Sequence, residues 1–278
     1  MTLPSLLAVF AHPDDESLSA GGVLARHAAS GARTAVVTAT WAEGTHRAAE
    51  LADALRVLGA GPPRLLGYAD ARVPGSAPGA VGLRDAPLDE SVRRLVAHIR
   101  EVRPDIVVTH DGYGGLSGHP DHVHTHRVTV LAVQAAGLDR LHPDAGPAWR
   151  PRSLYLATHP DSAARTLGAL LIREGRPMFS VPDEWVGATV DVRPWLDRKI
   201  EAVLAHRSEV ERGALPGRLA ALPRADRERV LATEWFIRHE SAPLSPAPAP
   251  PGSVPPGSLP PAPASPASAA PAGTDLTV

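Results

Sequence analysis

Two short clusters of histidine and carboxylate residues give this sequence its chemical character. The first is Ala11-His12-Pro13-Asp14-Asp15-Glu16. An imidazole and a carboxylate at the spacing of His12 and Asp15 can share one metal ion. Asp14, which lies between them, is then free to move protons. This segment therefore predicts most of a hydrolytic zinc site.

The second cluster runs from residue 110 to residue 122 and contains a glycine-rich stretch between its histidines. Glycines let a loop approach a ligand closely. His119 and His122 fall at the start of a predicted helix, where their spacing allows both to face the same side. One of these histidines, added to His12 and Asp15, would give three protein ligands and leave a further position for water, as in catalytic zinc sites.

The elements that must position these clusters are predicted from hydrophobic periodicity. Both clusters follow apolar segments, residues 6–10 and 105–109, that have the character of buried strands. Strand-like and helix-like segments alternate, which predicts an α/β, Rossmann-like fold with a mostly parallel sheet, helices on both faces and the active site at the C-terminal edge of the strands. The predicted strands are 6–10, 34–40, 64–66, 105–109 and 153–158, and the predicted helices are 18–29, 47–58, 90–102, 121–136, 195–206 and 227–239.

Composition limits the classes of partner and of metal site. The chain has 278 residues, is 44% hydrophobic, carries a formal net charge of −2 and contains no cysteine. Thiolate sites are therefore excluded, and the charge gives no argument for nucleic acid or an anionic membrane as a partner. With no signal-peptide pattern and no apolar run of about 20 residues, we expect a cytoplasmic protein. The sequence is compatible with a homo-oligomer.

The chain divides into two parts by composition. We expect residues 1–240 to form one catalytic domain. Within it, the glycine- and proline-rich segment 73–87 is expected to be a loop. Residues 241–278 are nearly all proline, alanine, serine and glycine, and such a segment cannot bury a core. We expect a disordered extension there.

The two clusters together resemble a known family. His12-Pro13-Asp14-Asp15-Glu16 paired with Gly118-His119-Pro120-Asp121-His122 is similar to the PIG-L/LmbE-like N-acetylglucosaminyl deacetylases. Glu43-Gly44, Arg47 and the run from Leu66 to Asp70 also look like that family. Residues 118–126 resemble its mycothiol-biosynthesis branch, which deacetylates an inositol-linked glucosamine precursor.

The resemblance implies a role for each matching residue. It implies one Zn²⁺ per chain, held by His12, Asp15 and His122. Asp14 would be the general base, His119 the general acid, and Asp121 would orient and charge His119. Contacts with the substrate would come from Arg47, Asp70, Glu43 and Tyr113, although a longer loop displaces Tyr113 from the position of the tyrosine in the mycothiol branch.

Several alternatives stay open at this level. His126 could replace His122 as a ligand, and iron or cobalt could occupy a site of this type. His110 and Asp111, at a strand end, could simply shape the pocket. The favoured function is removal of an N-acetyl group from an N-acetylglucosamine conjugate, releasing acetate and a free amino sugar. The other candidates are an amidase acting on a larger amide and a catalytically inactive sugar-binding protein.

Overall fold

A central sheet organises the molecule. The structure, a computed structural model, describes residues 2–171 and 178–239 together with residues 273 and 276. Within these residues a seven-stranded sheet has the order β3-β2-β1-β4-β5-β7-β6. The first five strands of the chain are parallel, and β7 runs antiparallel to both β5 and β6. This arrangement confirms the predicted α/β fold and its mostly parallel sheet.

The bounds of the elements are as follows. The strands are β1 (Leu6–Phe10), β2 (Thr34–Thr40), β3 (Arg64–Tyr68), β4 (Ile106–His110), β5 (Ser153–Thr158), β6 (Ala188–Asp191) and β7 (Thr233–His239). The helices are α1 (Asp15–Ala29), α2 (His46–Leu58), α3 (Leu88–Val102), α4 (Pro120–Ala136), α5 (Asp161–Leu171), α6 (Leu196–Ala205), α7 (Arg207–Glu211), α8 (Leu215–Ala221) and α9 (Arg224–Leu231).

Burial explains why the sheet lies at the centre. Every residue of β1 and β4 is buried, because helices cover both faces. One face packs against α1, α2 and α6, and the other against α3 and α4, so that two hydrophobic clusters lie on opposite sides of the strands. A third cluster lies among α5, α6, α8 and α9 and includes Leu167, Leu219 and Leu231.

One predicted helix is wrong in its second half. Residues 227–239 were expected to be helical, but α9 ends at Leu231 and residues 233–239 form strand β7. Trp235, Phe236 and Ile237 favour the extended conformation, and β7 pairs with both β5 and β6. These pairings join segments that are far apart in the chain, so hydrophobic periodicity alone does not reveal them.

The start of one helix also differs from the prediction, and one strand was not predicted. Helix α1 begins at Asp15, three residues before its predicted start, so that the first cluster forms the turn that opens the helix. Strand β6 was not predicted. Within the described part of the chain, no helix is both long and apolar enough to cross a membrane.

The predicted C-terminal extension lies almost wholly outside the described residues. Gly273 and Leu276 are the exceptions. The backbone of Gly273 hydrogen bonds to Gly187 and Thr189 beside β6, with N···O distances of 3.1 and 2.7 Å. Leu276 is buried among the hydrophobic residues beneath that strand.

Candidate metal and catalytic site

The candidate site lies where the strand order reverses. Strands β1 and β4 are neighbours at the centre of the sheet, although β2 and β3 come between them in the chain. The connections after β1 and β4 leave in opposite directions, which opens a crevice at the carboxyl ends of these strands. The first cluster follows β1 and the second follows β4. The topology therefore brings two sequence-distant segments together, as the sequence predicted.

Three side-chain atoms form a compact triangle in this crevice. His12 Nδ1 lies 3.2 Å from Asp15 Oδ2 and 3.1 Å from His122 Nε2. Asp15 Oδ2 and His122 Nε2 are 3.3 Å apart. Ligand bonds of about 2.0–2.1 Å in a tetrahedral zinc site place neighbouring donor atoms roughly 3.3 Å apart. The three atoms therefore have the spacing that one zinc ion requires.

The remaining ring nitrogens of both histidines are anchored away from the triangle. His12 Nε2 donates a hydrogen bond to Asp121 Oδ2 at 3.2 Å. His122 Nδ1 donates to the carbonyl oxygen of Gly114 at 3.1 Å. Such partners fix the tautomer and orientation of a metal-binding histidine. Gly114 has φ of +77°, and a Cβ there would come within 3.0 Å of His122, so the glycine permits this close approach.

The cluster carries a surplus of buried negative charge. Asp70 Oδ2 lies 3.4 Å from His12 Nε2, and Asp15 and Asp121 contact the same ring. Burial by itself lowers the pKa of His12, but the hydrogen bonds to Asp121 and Asp15 and the charges of Asp15 and Asp70 raise it to about 10. A proton on His12 thus balances part of this charge. A divalent cation would displace that proton, as metal binding to histidine does.

Asp14 occupies a strained position beside the triangle. Its φ is +123°, a conformation that non-glycine residues rarely adopt and that is found at functional sites. Burial raises the pKa of Asp14 to about 7, against the opposing charge of Arg47, whose guanidinium nitrogen lies 3.3 Å from Asp14 Oδ1. The strain is held by a hydrogen bond from the Asp14 backbone N–H to Glu16 Oε2 at 3.0 Å. A base near neutrality is suited to general base catalysis.

His119 has a defined tautomer. It is the N-cap of α4, and its Nδ1 accepts the backbone N–H of Asp121 at 3.2 Å. The ring is therefore protonated on Nε2 when it is neutral. Burial and the charges of His12 and His122 lower the pKa of His119 to about 3. A ring nitrogen of His119 lies within 4.8 Å of ring nitrogens of both His12 and His122.

Asp121 contacts His12 more closely than it contacts His119. Its Oδ2 lies 3.2 Å from His12 Nε2 but 3.9 Å from His119 Nδ1. The backbone N–H of Ala71 also donates to Asp121 Oδ2, at 2.9 Å. Asp121 Oδ1 is buried and has no hydrogen-bond partner among the described residues. The carboxylate thus acts on the His12 ring, while the Asp121 backbone positions His119.

His110 is a residue whose closeness to the triangle the sequence did not reveal. Its ring stacks on His122, with centroids 4.0 Å apart, and its Nε2 lies 3.5 Å from Asp15 Oδ2. The same Nε2 accepts the backbone N–H of Ala11 at 3.2 Å, so its lone pair is already used. Asp15, His110 and His122 could hold a metal by distance alone. The occupied nitrogen favours His12 over His110 as the ligand.

The predicted substrate contacts separate into two groups. Asp70 is in the cluster, and its Oδ1 accepts the backbone N–H groups of Arg72 and Val73. Arg47 is 3% exposed and is held by Asp14 and Glu209. Glu43 and Tyr113, in contrast, are exposed. Tyr113 stacks on Phe179, with ring centroids 5.7 Å apart.

Other polar residues near the site hydrogen bond to the segments that carry it. His206 Nε2 donates to Glu16 Oε1 at 3.0 Å in a fully buried pair. Asp111 accepts the Thr158 hydroxyl and the backbone N–H of Gly115, which holds the glycine-rich loop in place. His126 Nδ1 donates to the carbonyl oxygen of His110 at 2.9 Å. This bond directs His126 to the backbone, so the geometry favours His122 over His126 as the ligand.

Comparisons with known proteins give a consistent result. The profile of the PIG-L family, described as GlcNAc-PI de-N-acetylase, matches residues 7–133. A 1D-myo-inositol 2-acetamido-2-deoxy-alpha-D-glucopyranoside deacetylase of Rhodococcus jostii is 39% identical over 266 residues, covering 84% of this chain and 90% of the relative.

Solved structures agree with this result at the level of the fold. A conserved protein of Thermus thermophilus superposes with a TM-score of 0.60 at 28% identity, covering 88% of this chain and 98% of that protein. The N,N'-diacetylchitobiose deacetylase of Pyrococcus horikoshii gives a TM-score of 0.57 at 17% identity, covering 87% and 88%.

Proposed function

This chain belongs to the PIG-L family and is an N-deacetylase, and from that premise we propose that it hydrolyses the acetamide of an inositol-linked N-acetylglucosamine. The products would be acetate and the free amino sugar. The observation that carries the proposal is the triangle of His12 Nδ1, Asp15 Oδ2 and His122 Nε2, with edges of 3.1–3.3 Å. The named activity of the 39% identical relative supports the choice of substrate.

We infer that the triangle holds one Zn²⁺ per chain. Two imidazoles and one carboxylate are a donor set suited to zinc, and both rings have outer hydrogen-bond partners that fix them. A divalent cation at this position supplies Lewis-acid polarisation of the amide carbonyl and acidifies water.

The chain's own residues then divide the proton transfers. Asp14 accepts the proton of the attacking water on its carboxylate. His119 carries its proton on Nε2, because Nδ1 accepts the Asp121 backbone N–H, so it can donate a hydrogen bond to the carbonyl oxygen as charge develops. Because the lowered pKa of His119 keeps its ring neutral, the proton that Asp14 takes from water passes to the leaving amine, and this step replaces the general-acid role that the resemblance implies for His119. Asp121 orients His12 through the bond to Nε2. We assign contacts with the sugar hydroxyls to Asp70 and Arg47, as the family resemblance implies.

The direct test is acetate release by the zinc-loaded protein. The substrates are the inositol glycoside of N-acetylglucosamine, free N-acetylglucosamine and diacetylchitobiose. We expect the inositol glycoside to have the highest kcat/KM. Equal rates on all three sugars would contradict the assigned substrate, and no acetate from any of them would contradict the proposed function.

A further inference from the structure

An apolar cavity adjoins two residues of the metal triangle, Asp15 and His122. Its volume is about 110 Å³, and its polar wall includes Asp15, His110 and His122. Neither Asp14 nor His119 lines it. Because the carbonyl oxygen would face His119 and the leaving amine would face the protonated Asp14, the acyl substituent of a bound amide points away from both residues. A cavity whose wall contains metal-triangle residues but neither Asp14 nor His119 can receive this substituent.

Hydrophobic side chains of elements outside the parallel part of the sheet form the rest of the wall. Leu167 comes from α5, Leu219 from α8 and Leu231 from α9, and each is nearly fully buried. They belong to the third hydrophobic cluster, so the cavity is an opening between that cluster and the metal triangle. Ser19, a half-buried residue of α1, also lines the cavity.

The cavity is larger than an acetyl group needs. An apolar cavity of about 150 Å³ is enough to bind benzene. The methyl group of an acetamide would leave most of the 110 Å³ unfilled. An aliphatic chain of three carbons would fill it far better, and filling it removes apolar surface from water.

The wall also disfavours charged acyl groups. No lysine or arginine is among the described residues that line the cavity. Burial lowers the pKa of His159, another lining residue, to about 4, so its ring is neutral near neutral pH. A terminal carboxylate, as in a succinyl group, would find no positive partner among these described residues.

We propose that this cavity is an acyl pocket and that the enzyme hydrolyses N-propionyl and N-butyryl amino sugars in addition to N-acetyl ones. The inference rests on the proposed function, because it assigns the acyl range of the same site. The reaction balances as for acetate: the oxygen of water bonds to the acyl carbon, the C–N bond breaks, a water proton passes to the amine, and a short-chain carboxylate leaves.

The first test measures the wild-type protein against a series of glucosamine conjugates with acetyl, propionyl, butyryl and succinyl groups. Each buried methylene is expected to lower KM roughly fourfold, so the butyryl substrate, which has two more methylenes, should have a KM roughly 15-fold below that of the acetyl substrate. The succinyl substrate should react at least tenfold more slowly. A kcat/KM for butyryl more than tenfold below that for acetyl would overturn the proposal, whereas inactivity on every substrate would overturn the proposed function.

Calorimetry tests the pocket without turnover. Acetate, butyrate and succinate are titrated into the zinc-loaded protein, where each carboxylate has the same head group. We expect butyrate, with its two additional methylenes, to bind about 15-fold more tightly than acetate. Equal affinities of acetate and butyrate would contradict the acyl pocket even if deacetylation were established.

A variant that fills the cavity distinguishes a loss of acyl binding from a general loss of activity. Ser19→Phe places a large ring in the cavity and should lower the butyryl-to-acetyl ratio of kcat/KM at least tenfold. Ala29→Phe is the matched control, since Ala29 is exposed on the same helix and does not line the cavity. A ratio changed equally by both substitutions, or by neither, would reject the assignment. If Ser19→Phe fails to fold, the calorimetric series still decides.

Discussion

The two ends of helix α4 bury polar groups in opposite ways. At the C-terminal end of α4, the side chain of Arg100 reaches in from α3 and is 2% exposed. It donates to six backbone carbonyls, those of Ala135, Ala136, Leu138, Leu141, His142 and Gly146. At the N-terminal end of α4, His12, Asp15, Asp70 and Asp121 crowd together, and Asp121 Oδ1 has no hydrogen-bond partner among the described residues.

This difference distinguishes a structural polar cluster from a ligand-binding one. The guanidinium of Arg100 is matched by carbonyl acceptors, as expected when burial of a charge stabilises a fold. The other cluster holds more carboxylate than its own residues neutralise, which costs stability unless a cation binds. We therefore expect substitutions at the two ends of α4 to separate stability from activity.

The largest expected effect is on catalysis, at Asp14, which directly precedes Asp15 of the cluster. Asp14→Asn removes the proposed base and should lower kcat/KM by about 10²–10⁴-fold, because general base catalysis typically contributes that much. Zinc content by elemental analysis and the melting temperature should stay close to wild type. Asp139→Asn, at an exposed position, is the control. Turnover within threefold of wild type would exclude Asp14 as the base.

The matching change at the C-terminal end should act on stability. Arg100→Met leaves buried carbonyl groups without a donor, and we expect a loss of about 3 kcal/mol in the free energy of unfolding. A change of that size lowers Tm by roughly 6–12 °C in a domain of this size. The kcat/KM of the folded variant, measured well below its Tm, should be unchanged. Arg140→Met, which is exposed, should change neither property. An Arg100→Met variant that keeps the wild-type Tm but loses kcat/KM would contradict the structural role of this cluster.

A subtler change tests how Asp121 supports the metal. Asp121→Asn weakens the acceptor of His12 Nε2–H, and loss of such a partner typically costs 10–100-fold in metal affinity. Competition with a zinc chelator measures this loss. Excess zinc should restore much of the activity. A lower kcat at saturating zinc with unchanged zinc affinity would instead assign Asp121 to His119.

The smallest expected effect lies far from both ends of α4. Deleting residues 241–278 removes Leu276, whose burial stabilises the edge of the sheet beside β6. The ordering of the backbone offsets much of this gain, so we expect a loss of no more than about 2 kcal/mol in the free energy of unfolding. Deacetylation should persist. Chemical denaturation measures the free energy of unfolding, and an acetate assay measures deacetylation. Loss of all activity would show that this segment contributes to the active site.

The sequence predicts the fold, and the meeting of the two clusters, for a physical reason. The crevice forms at the carboxyl ends of β1 and β4, and each cluster directly follows one of these strands. Local pattern and topology therefore carry the same information. The prediction for residues 233–239 failed because β7 is stabilised by pairing with β5 and β6, which local periodicity does not reveal. Within this strand, Glu234 forms a buried pair with Lys199, with Nζ 2.7 Å from Oε1.

The detailed side-chain partners depend on tertiary contacts that spacing does not encode. Asp121 is close to His119 in the chain, yet its carboxylate bonds to His12 on the other segment. His110 looked like a pocket residue, and its contact with Asp15 exists because β1 and β4 are adjacent. The apolar cavity is invisible in the sequence, since its walls come from α1, α5, α8 and α9 and from the loop before α4.

The central claim is that His12, Asp15 and His122 hold a single divalent cation. A crystal structure of the zinc-loaded protein, with an anomalous difference map at the zinc edge, tests it most directly. The account predicts one strong peak within about 2.0–2.2 Å of His12 Nδ1, Asp15 Oδ2 and His122 Nε2. A peak bound by His110 in place of His12, or no peak between these residues, would contradict it.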